Sequence, residues 1–431
     1  MTKIKDSKNK KTNDKNHNSF KIILLFGIVS LLGDVIYEAA RSINGQYLQT
    51  LGASAAIVGL VVGLGEFLGQ GLRLLSGYLS DKTKAYWILT ILGYGLLISI
   101  PLLALTGIWQ IAAILLVTER IGKAIRSPAR DTLLSQAAKN IGTGWGFAIH
   151  EFLDQIGALL GPLLLAVIFF GMGTATQTTE QYQFAYSVLW IPYLLLMLVL
   201  IATYFISRDL ISKENYSAEK LKINKSDEET KSKVFWYYTW FTFLTTIGFI
   251  NFAILGYHFK ATNVLPDSEI PLLYAAAMII DAIFALIIGK LYDMLKTKSK
   301  NESAGLLLLF VIPILTALIP ILALLPNIWF ILLGVLIWGL VMGAHETIMR
   351  AAIADITPIS KRGTGYGIFT AVYGFAALIG GAAAGFLYDY SFSMLIAFII
   401  ITQIISLFIF FLMKKEIEKD SKQKESIFEV R

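Results

Sequence analysis

Asp34, Glu38 and Arg41 stand at i, i+4 and i+7, so one face of a helix would carry all three. They lie inside an otherwise apolar run, Phe20–Tyr47, and Glu66, Gln70 and Arg73 repeat the spacing in the next run, Ala55–Leu79. On insertion scales a charged group at the centre of a bilayer costs about 2.5–3.5 kcal/mol, so such groups face a cavity or a partner. Three acids and two bases on neighbouring helices can pair across a bundle. On the face shared by Asp34, Glu38 and Arg41 two acids stand against one base, which suits Asp34 and Glu38 to binding and releasing a proton.

Further polar groups recur at membrane depth. The fourth run, Trp109–Ile125, ends in Glu119, Arg120 and Lys123 and is followed by Arg126, Pro128, Arg130 and Asp131; positions 119, 123, 126 and 130 share a face. The fifth brings His150, Glu151 and Asp154, the last a further proton carrier, and the tenth brings His345, Glu346 and Arg350. Asn251, His258 and Asp281 are the counterparts in the seventh and eighth, and Tyr366, Thr370 and Tyr373 form one face of the eleventh, a stripe that more often packs than touches substrate. A His-Glu pair invites a zinc hydrolase, but that chemistry needs His-Glu-x-x-His. The fourth positions after the two histidines are Asp154 and Met349. No metal site is expected, and these groups are read as proton-handling or substrate-binding. A Gly-x-x-x-x-Gly-Lys-Ser/Thr loop is also missing from the sequence, so drive by ATP is not expected.

The elements that position these residues are set by composition. Of 431 residues 56% are hydrophobic and 16% charged, against about 25% charged in soluble proteins, and the mean hydropathy is +0.65. A single soluble domain is excluded. At about 20 residues per span the apolar set fills about twelve crossings. The runs fall at Phe20–Tyr47, Ala55–Leu79, Tyr86–Leu105, Trp109–Ile125, Gly144–Phe170 and Phe184–Ile206, then at Phe235–Phe259, Pro271–Leu291, Ala304–Leu325, Ile328–Met349, Thr364–Leu387 and Phe392–Met413. This predicts an all-α integral membrane protein with an N-tail (1–19), a six-helix bundle (20–206), a polar linker (207–233), a second six-helix bundle (234–413) and a C-tail (414–431). No cysteine is present, which excludes disulfides and thiolate chemistry.

The net charge of +7 has a definite placement. All but three of the 37 Lys and Arg fall in the tails, the linker or alternate connections; the exceptions are Arg41, Arg73 and Lys260. Basic connections stay on the cytoplasmic side, so both termini are expected in the cytoplasm, with the chain multi-pass in the plasma (inner) membrane. The basic face is expected to meet anionic lipid rather than nucleic acid. The lysine-rich start carries no small-residue cleavage pattern, and no signal peptide is expected.

Two segments repeat. Gly77-Tyr-Leu-Ser-Asp81 matches Gly289-Lys-Leu-Tyr-Asp293, and Gly142-Thr-Gly-Trp-Gly146 matches Gly363-Thr-Gly-Tyr-Gly367. Two six-crossing halves that start on the same side form a parallel repeat about an axis along the membrane normal. On these motifs the sequence resembles the major facilitator superfamily over its whole membrane part. The resemblance implies that Asp81, in the signature loop with Gly77, secures a cytoplasmic gate, with Lys84 and Ala85 departing from the pattern. In a state closed on that side Asp81 is then expected near Arg126 or Arg130 and near Gly363, where a helix N-terminus favours negative charge. By pseudo-symmetry Asp293 is expected near Arg350 and the start of the fifth crossing. Arg120 matches an arginine frequent in the family's fourth crossing. Gly157-Ala-Leu-Leu-Gly161-Pro162 resembles the core of the antiporter signature, without the glycine pair that usually follows, and tilts the reading towards proton-coupled efflux. Independently of family, small residues let helices approach and a proline permits a bend.

The sequence therefore predicts a monomeric, non-enzymatic secondary transporter of a small solute. It is driven by a proton gradient, without cofactor, and its partners are lipid, solute and protons. A proton-coupled uptake permease, a lipid scramblase and a membrane-embedded enzyme stay open as alternatives. Crossings one, two, four and five should converge with seven, eight, ten and eleven on a central cavity lined by Arg41, Glu66, Arg73, Glu119, Arg120, His150, Glu151, Asn251, Asp281, Glu346, Tyr366 and Tyr373. Crossings three, six, nine and twelve carry no Asp, Glu, Lys, Arg or His within the runs given above and should face lipid.

Overall fold

The computed structural model describes residues 2–138, 142–213, 233–299, 302–357 and 362–429, and among them there is no strand. Among these residues twelve crossings are built from fourteen α-helices. The first half comprises α1 (Thr2–Thr50), α2 (Ala55–Thr83), α3 (Tyr86–Gly95), α4 (Trp109–Ala138), α5 (Thr143–Met172) and the paired α6 (Thr179–Val188) and α7 (Trp190–Lys213). The second comprises the paired α8 (Lys233–Ile247) and α9 (Phe252–Ala261), α10 (Glu269–Ser299), α11 (Val311–Ala323), α12 (Ile328–Ile356), α13 (Arg362–Tyr390) and α14 (Phe392–Glu429). Eleven spans are long and apolar enough to cross a membrane on composition alone. The twelfth, α4, falls short because it carries Glu119, Arg120, Lys123, Arg126, Arg130 and Asp131. Its charges are tolerated because they face the bundle, where partners replace water.

Local chemistry sets the breaks. In the third crossing Pro101 lacks the N–H that an α-helix needs, and the chain continues beyond α3 in 3-10 turns to Leu105. At the end of these turns the Tyr47 hydroxyl lies 2.6 Å from Thr106 O and 3.0 Å from Leu103 O, tying the third crossing to α1. Ser54, Thr178 and Asn327 cap the helices that follow them. The seventh crossing is interrupted at 248–251. Asn251 restarts it by accepting from Ile254 N at 3.0 Å, and the Trp338 indole donates to the freed carbonyl of Ile250 at 2.9 Å. Non-helical backbone at this depth needs protein partners or a cavity, and it has both.

Glycines set the closest helix approaches. A Cβ at Gly157 or Gly161 would collide with the α1 backbone at Leu31 or Val35, so these two residues dock α5 onto α1. Between the halves α2 lies along α13. There a Cβ at Gly59 would meet Gly381 O, and one at Gly385 would meet Ala55 O. Each half keeps its own buried apolar core, centred on Tyr47, Tyr186 and Phe169 in the first and on Trp338, Tyr274 and Phe241 in the second.

Candidate functional site

The charged face of α1 meets those of α2 and α4 in one continuous network. Glu66 is its hub, with Oε1 3.1 Å from Arg120 Nη1 and 3.6 Å from Arg41 Nη2. Arg41 Nη1 lies 3.5 Å from Glu38 Oε1, and Arg120 Nε 3.4 Å from Glu119. Tyr37 ties the cations together. Its hydroxyl accepts from Arg120 Nη1 at 2.5 Å, and its ring faces Lys123 at 4.0 Å, Arg120 at 4.7 Å and Arg41 at 5.4 Å. Every base in the network has an acid or an aromatic face, which is how so many charges persist at this depth.

The network faces the second half. A cavity of about 80 Å³ is lined by Arg41, Asn44, Glu66 and Arg120 from the first half and by Phe249, Asn251, Phe252, Trp338, Met342 and Tyr373 from the second. A smaller recess of about 30 Å³ continues towards Tyr37 and Glu119. The cavity is charged on one wall and aromatic on the other. From the aromatic side the Tyr274 hydroxyl crosses to donate to Glu38 Oε2 at 2.5 Å.

Asp34 lies one turn before Glu38, half-buried, in the field of Asp154, Lys123 and Glu38. Asp154 accepts from the Ser30 hydroxyl, which also receives Arg130 Nη1 at 3.2 Å. His150, Glu151 and Asp154 form a compact triplet, one ligand atom from each lying within 4.8 Å of the others. Across from them Asp281 of α10 is buried and lies in the field of Glu346, Glu38 and Glu151. Arg73 contributes its charge to the surroundings of Glu66. Tyr366 packs on the second half's apolar core instead of lining the cavity described above.

The residues proposed for the gate stand apart in this structure, whereas their contacts are expected of a state closed on the cytoplasmic side. Asp81 accepts from the Tyr86 hydroxyl at 3.2 Å, with no described ion pair to Arg126 or Arg130. Arg126 is only 3% exposed, since the short side of the α3–α4 contact at Gly93 and Gly122 draws it inward. There it stacks over Tyr94 at 4.8 Å and approaches Glu119 at 4.0 Å. Arg130 is held by Asp131 at 2.8 Å. Asp293 is exposed, and the neighbouring helix end is secured by Asp355, which takes Lys296 at 2.7 Å and Tyr292 at 2.9 Å. Gly77 rests on Pro128, and Gly289 on Thr347 in the matching place. The side chain of Arg350 and the surroundings of Gly363 lie outside the described residues. Pro162 lies within α5, one residue past Gly161.

Sequence reasoning missed a second polar cluster, at the end of the bundle opposite the tails. Asp267 Oδ2 receives Lys260 Nζ at 2.5 Å, Gln177 N at 2.7 Å and the Tyr182 hydroxyl at 3.1 Å, and Lys260 also donates to Gln177 O at 3.0 Å. Asp389 at the end of α13 accepts from the first N–H groups of α2, Ala55 at 3.1 Å and Ala56 at 2.8 Å. Both contacts join one half to the other. Lys260 was visible as the one basic residue on that side, but its partner lies in a connection without a motif.

The superfamily model described as Major Facilitator Superfamily matches residues 23–315 and 265–430. An "uncharacterized protein" of Mycobacterium tuberculosis (strain ATCC 25618 / H37Rv) is 37% identical over 398 residues, covering 91% of this chain and 93% of the relative. An "uncharacterized MFS-type transporter" of Methanocaldococcus jannaschii is 27% identical, covering 91% and 94%. Among solved structures, a bacterial homolog to the human lysosomal transporter Spinster superposes with a TM-score of 0.71 at 15% identity, covering 94% of this chain and 98% of that one. The nucleoside transporter NupG gives 0.69 at 14%, covering 92% and 98%. The twelve-crossing repeat, the broken seventh crossing at a central cavity and these matches together place the chain in the major facilitator superfamily.

Proposed function

We propose that this transporter moves a small solute by alternating access, driven by protons, with Glu38 and Asp34 as the coupling acids and export as its direction. The observation that carries the reading is the position of Glu38. One oxygen faces Arg41 of its own half and the other accepts from Tyr274 of the opposite half. A proton arriving on Glu38 weakens both contacts at once. The event that loads the proton is thus the event that loosens the halves, which is what coupling requires. Asp34, one turn nearer the tails on the same face, is placed to pass the proton on.

The distribution of basic residues supports a cytoplasmic location for both tails and the linker in the inner membrane. On that orientation the contacts made by Asp267 and Asp389 close the outer side. The export direction rests on the resemblance of Gly157-Ala-Leu-Leu-Gly161-Pro162 to the core of the antiporter signature, whose two glycines here dock α1 onto α5. The solute would sit between the charged wall at Glu66 and the aromatic wall at Trp338.

Reconstitution into vesicles with an imposed pH gradient, followed by a screen of solutes for accumulation, tests the reading. Glu38→Gln and Asp34→Asn should abolish accumulation against a gradient while leaving solute exchange without one. Full accumulation by both variants would refute the proton assignment.

A further inference from the structure

Asn44 and Asn251 line the central cavity from opposite halves, one on α1 and the other at the break of the seventh crossing, the matching member of the repeat. They flank the tight approach of α1 to α9, where a Cβ on Gly45 would meet Ala253 O. Each carboxamide is held by its oxygen. Asn251 Oδ1 accepts from Ile254 N at 3.0 Å, and since a backbone N–H can only donate, the amide nitrogen is the end left over. Asn44 Oδ1 accepts from the Tyr186 hydroxyl at 2.8 Å; that hydroxyl belongs to a fully buried residue and has no other acceptor among the described residues. Both amide nitrogens, with two N–H donors each, are therefore without a partner among the described residues, in side chains that line the cavity.

A third group waits just before the break. Thr239 and Thr245 donate to the carbonyls of Phe235 and Phe241, as helical threonines do. Thr246, which lines the cavity and is 5% exposed, has no hydrogen-bond partner at Oγ1. The charges of the lining are engaged with one another, Arg41 with Glu38 and Glu66, and Arg120 with Glu66 and Glu119. On the aromatic wall Trp338 gives its N–H to Ile250 O and so offers the cavity ring surface, with Phe249 and Phe252 against it at 5.7 and 5.6 Å. Paired charges, unpartnered N–H donors and aromatic faces leave no counter-charge for an ionic solute and match a neutral one that brings a hydrogen-bond acceptor.

On the reading of this cavity as the solute site, we infer that Asn44 and Asn251 hold between them the carbonyl oxygen of a neutral aromatic solute whose ring lies on Trp338 and Phe252. A carbonyl oxygen has two lone pairs, so each half supplies one N–H. The Thr246 hydroxyl takes a second polar atom. The solute thus bridges the halves beside their close contact, and the parting of α1 from α9 breaks its grip.

Equilibrium dialysis of the purified full-length protein tests this, with radiolabelled coumarin, a neutral bicyclic lactone, and with naphthalene, a ring pair of like size without oxygen. One saturable coumarin site per chain is expected, with naphthalene about tenfold weaker. Asn251→Ser keeps a capping oxygen for Ile254 N, and Asn44→Asp keeps an acceptor for Tyr186, while each removes the amide donors. Each should weaken coumarin about tenfold and leave naphthalene unchanged, and either variant suffices should the other fail to fold. No pH gradient is present, so coumarin binding that persists where gradient-driven accumulation fails counts against the proton assignment alone. Absence of saturable coumarin binding, equal affinity for naphthalene, or wild-type coumarin affinity in a folded variant would overturn the inference.

Discussion

Tyr274 and Glu38 form a 2.5 Å hydrogen bond between residues 236 positions apart, from the second half of the repeat to the first. The donor is neutral and the acceptor sits beside Arg41, so the bond is charge-assisted whenever Glu38 is ionised. It exists only while the halves meet at this depth, and on the proposed alternating-access cycle it therefore belongs to one side.

Tyr274→Phe removes the donor and keeps the ring that packs on Phe252 at 4.6 Å and Trp338 at 6.0 Å. A hydrogen bond to a charged group contributes about 1.5–3 kcal/mol, and about 1.4 kcal/mol is tenfold in a population. The variant should move the resting equilibrium roughly tenfold or more away from the state described here. In a chain without native cysteine, a single Asn44→Cys reports the shift as faster reaction with a bulky impermeant thiol reagent added at the end opposite the tails. Unchanged labelling would mean that the bond contributes nothing to closure.

Sequence made the crossings and the charged stripes legible, because a 20-residue apolar run and an i, i+4, i+7 spacing are properties of one helix. Arg41, Glu66 and Arg120 could be proposed for the cavity on that basis, and the structure joins them through Glu66. Arg126 shows where such reading ends. Its place on the α4 face matched a gate partner, but the glycine contact between α3 and α4 pulls it under Tyr94, and no single-helix pattern contains that information. The interruption of the seventh crossing was hidden for a related reason. Its residues 248–251, Gly-Phe-Ile-Asn, are apolar enough to continue a span, and only Trp338 on a distant helix and the capping side chain of Asn251 make the break affordable. Tyr37 and Tyr274 carry no signal in the sequence, because only the fold brings their hydroxyls to Arg120 and Glu38.

The seam between α2 and α13 gives a second test. Gly59→Val places a side chain on the Gly381 carbonyl, which is backbone and cannot turn aside. Gly71 lies on the same helix with nothing near the corresponding position. Gly59→Val should therefore lose closure at the end opposite the tails, and with it solute transport, while Gly71→Val retains both. Equal transport by the two variants would show that the seam opens and closes without close backbone contact.

Asp267 is the acid of a buried pair, 1% exposed beside Lys260. Removing one member of such a pair costs about 3–5 kcal/mol, because the survivor is left buried and uncompensated. Asp267→Asn should accordingly lower the thermal midpoint of the purified protein and raise thiol labelling at Asn44→Cys, more than Tyr274→Phe does. Adding Lys260→Gln removes the stranded ammonium and should recover a substantial part of the midpoint. A double variant as unstable as the sum of the singles would mean that the two residues act independently.

Glu66 poses the sharpest question about the central network, since one carboxylate oxygen serves two guanidinium groups. Glu66→Gln withdraws the shared charge, but each base keeps another acid, Arg41 its Glu38 and Arg120 its Glu119. The single variant should therefore fold with a depressed thermal midpoint. Arg41→Gln frees Glu38 and relieves part of the positive load, so in the double variant Arg41→Gln/Glu66→Gln the loss should fall short of the two single losses combined. Residues in one ion-pair network couple by about 0.5–3 kcal/mol, enough for the shortfall to be read in a thermal melt. The control is Arg73→Gln combined with Glu66→Gln, because Arg73 acts on Glu66 through its field and its described contacts include no ion pair to it. Non-additivity should thus be larger for Arg41 than for Arg73. Equal coupling for both would show that Glu66 responds to the net charge around it and not to the contacts its oxygen makes.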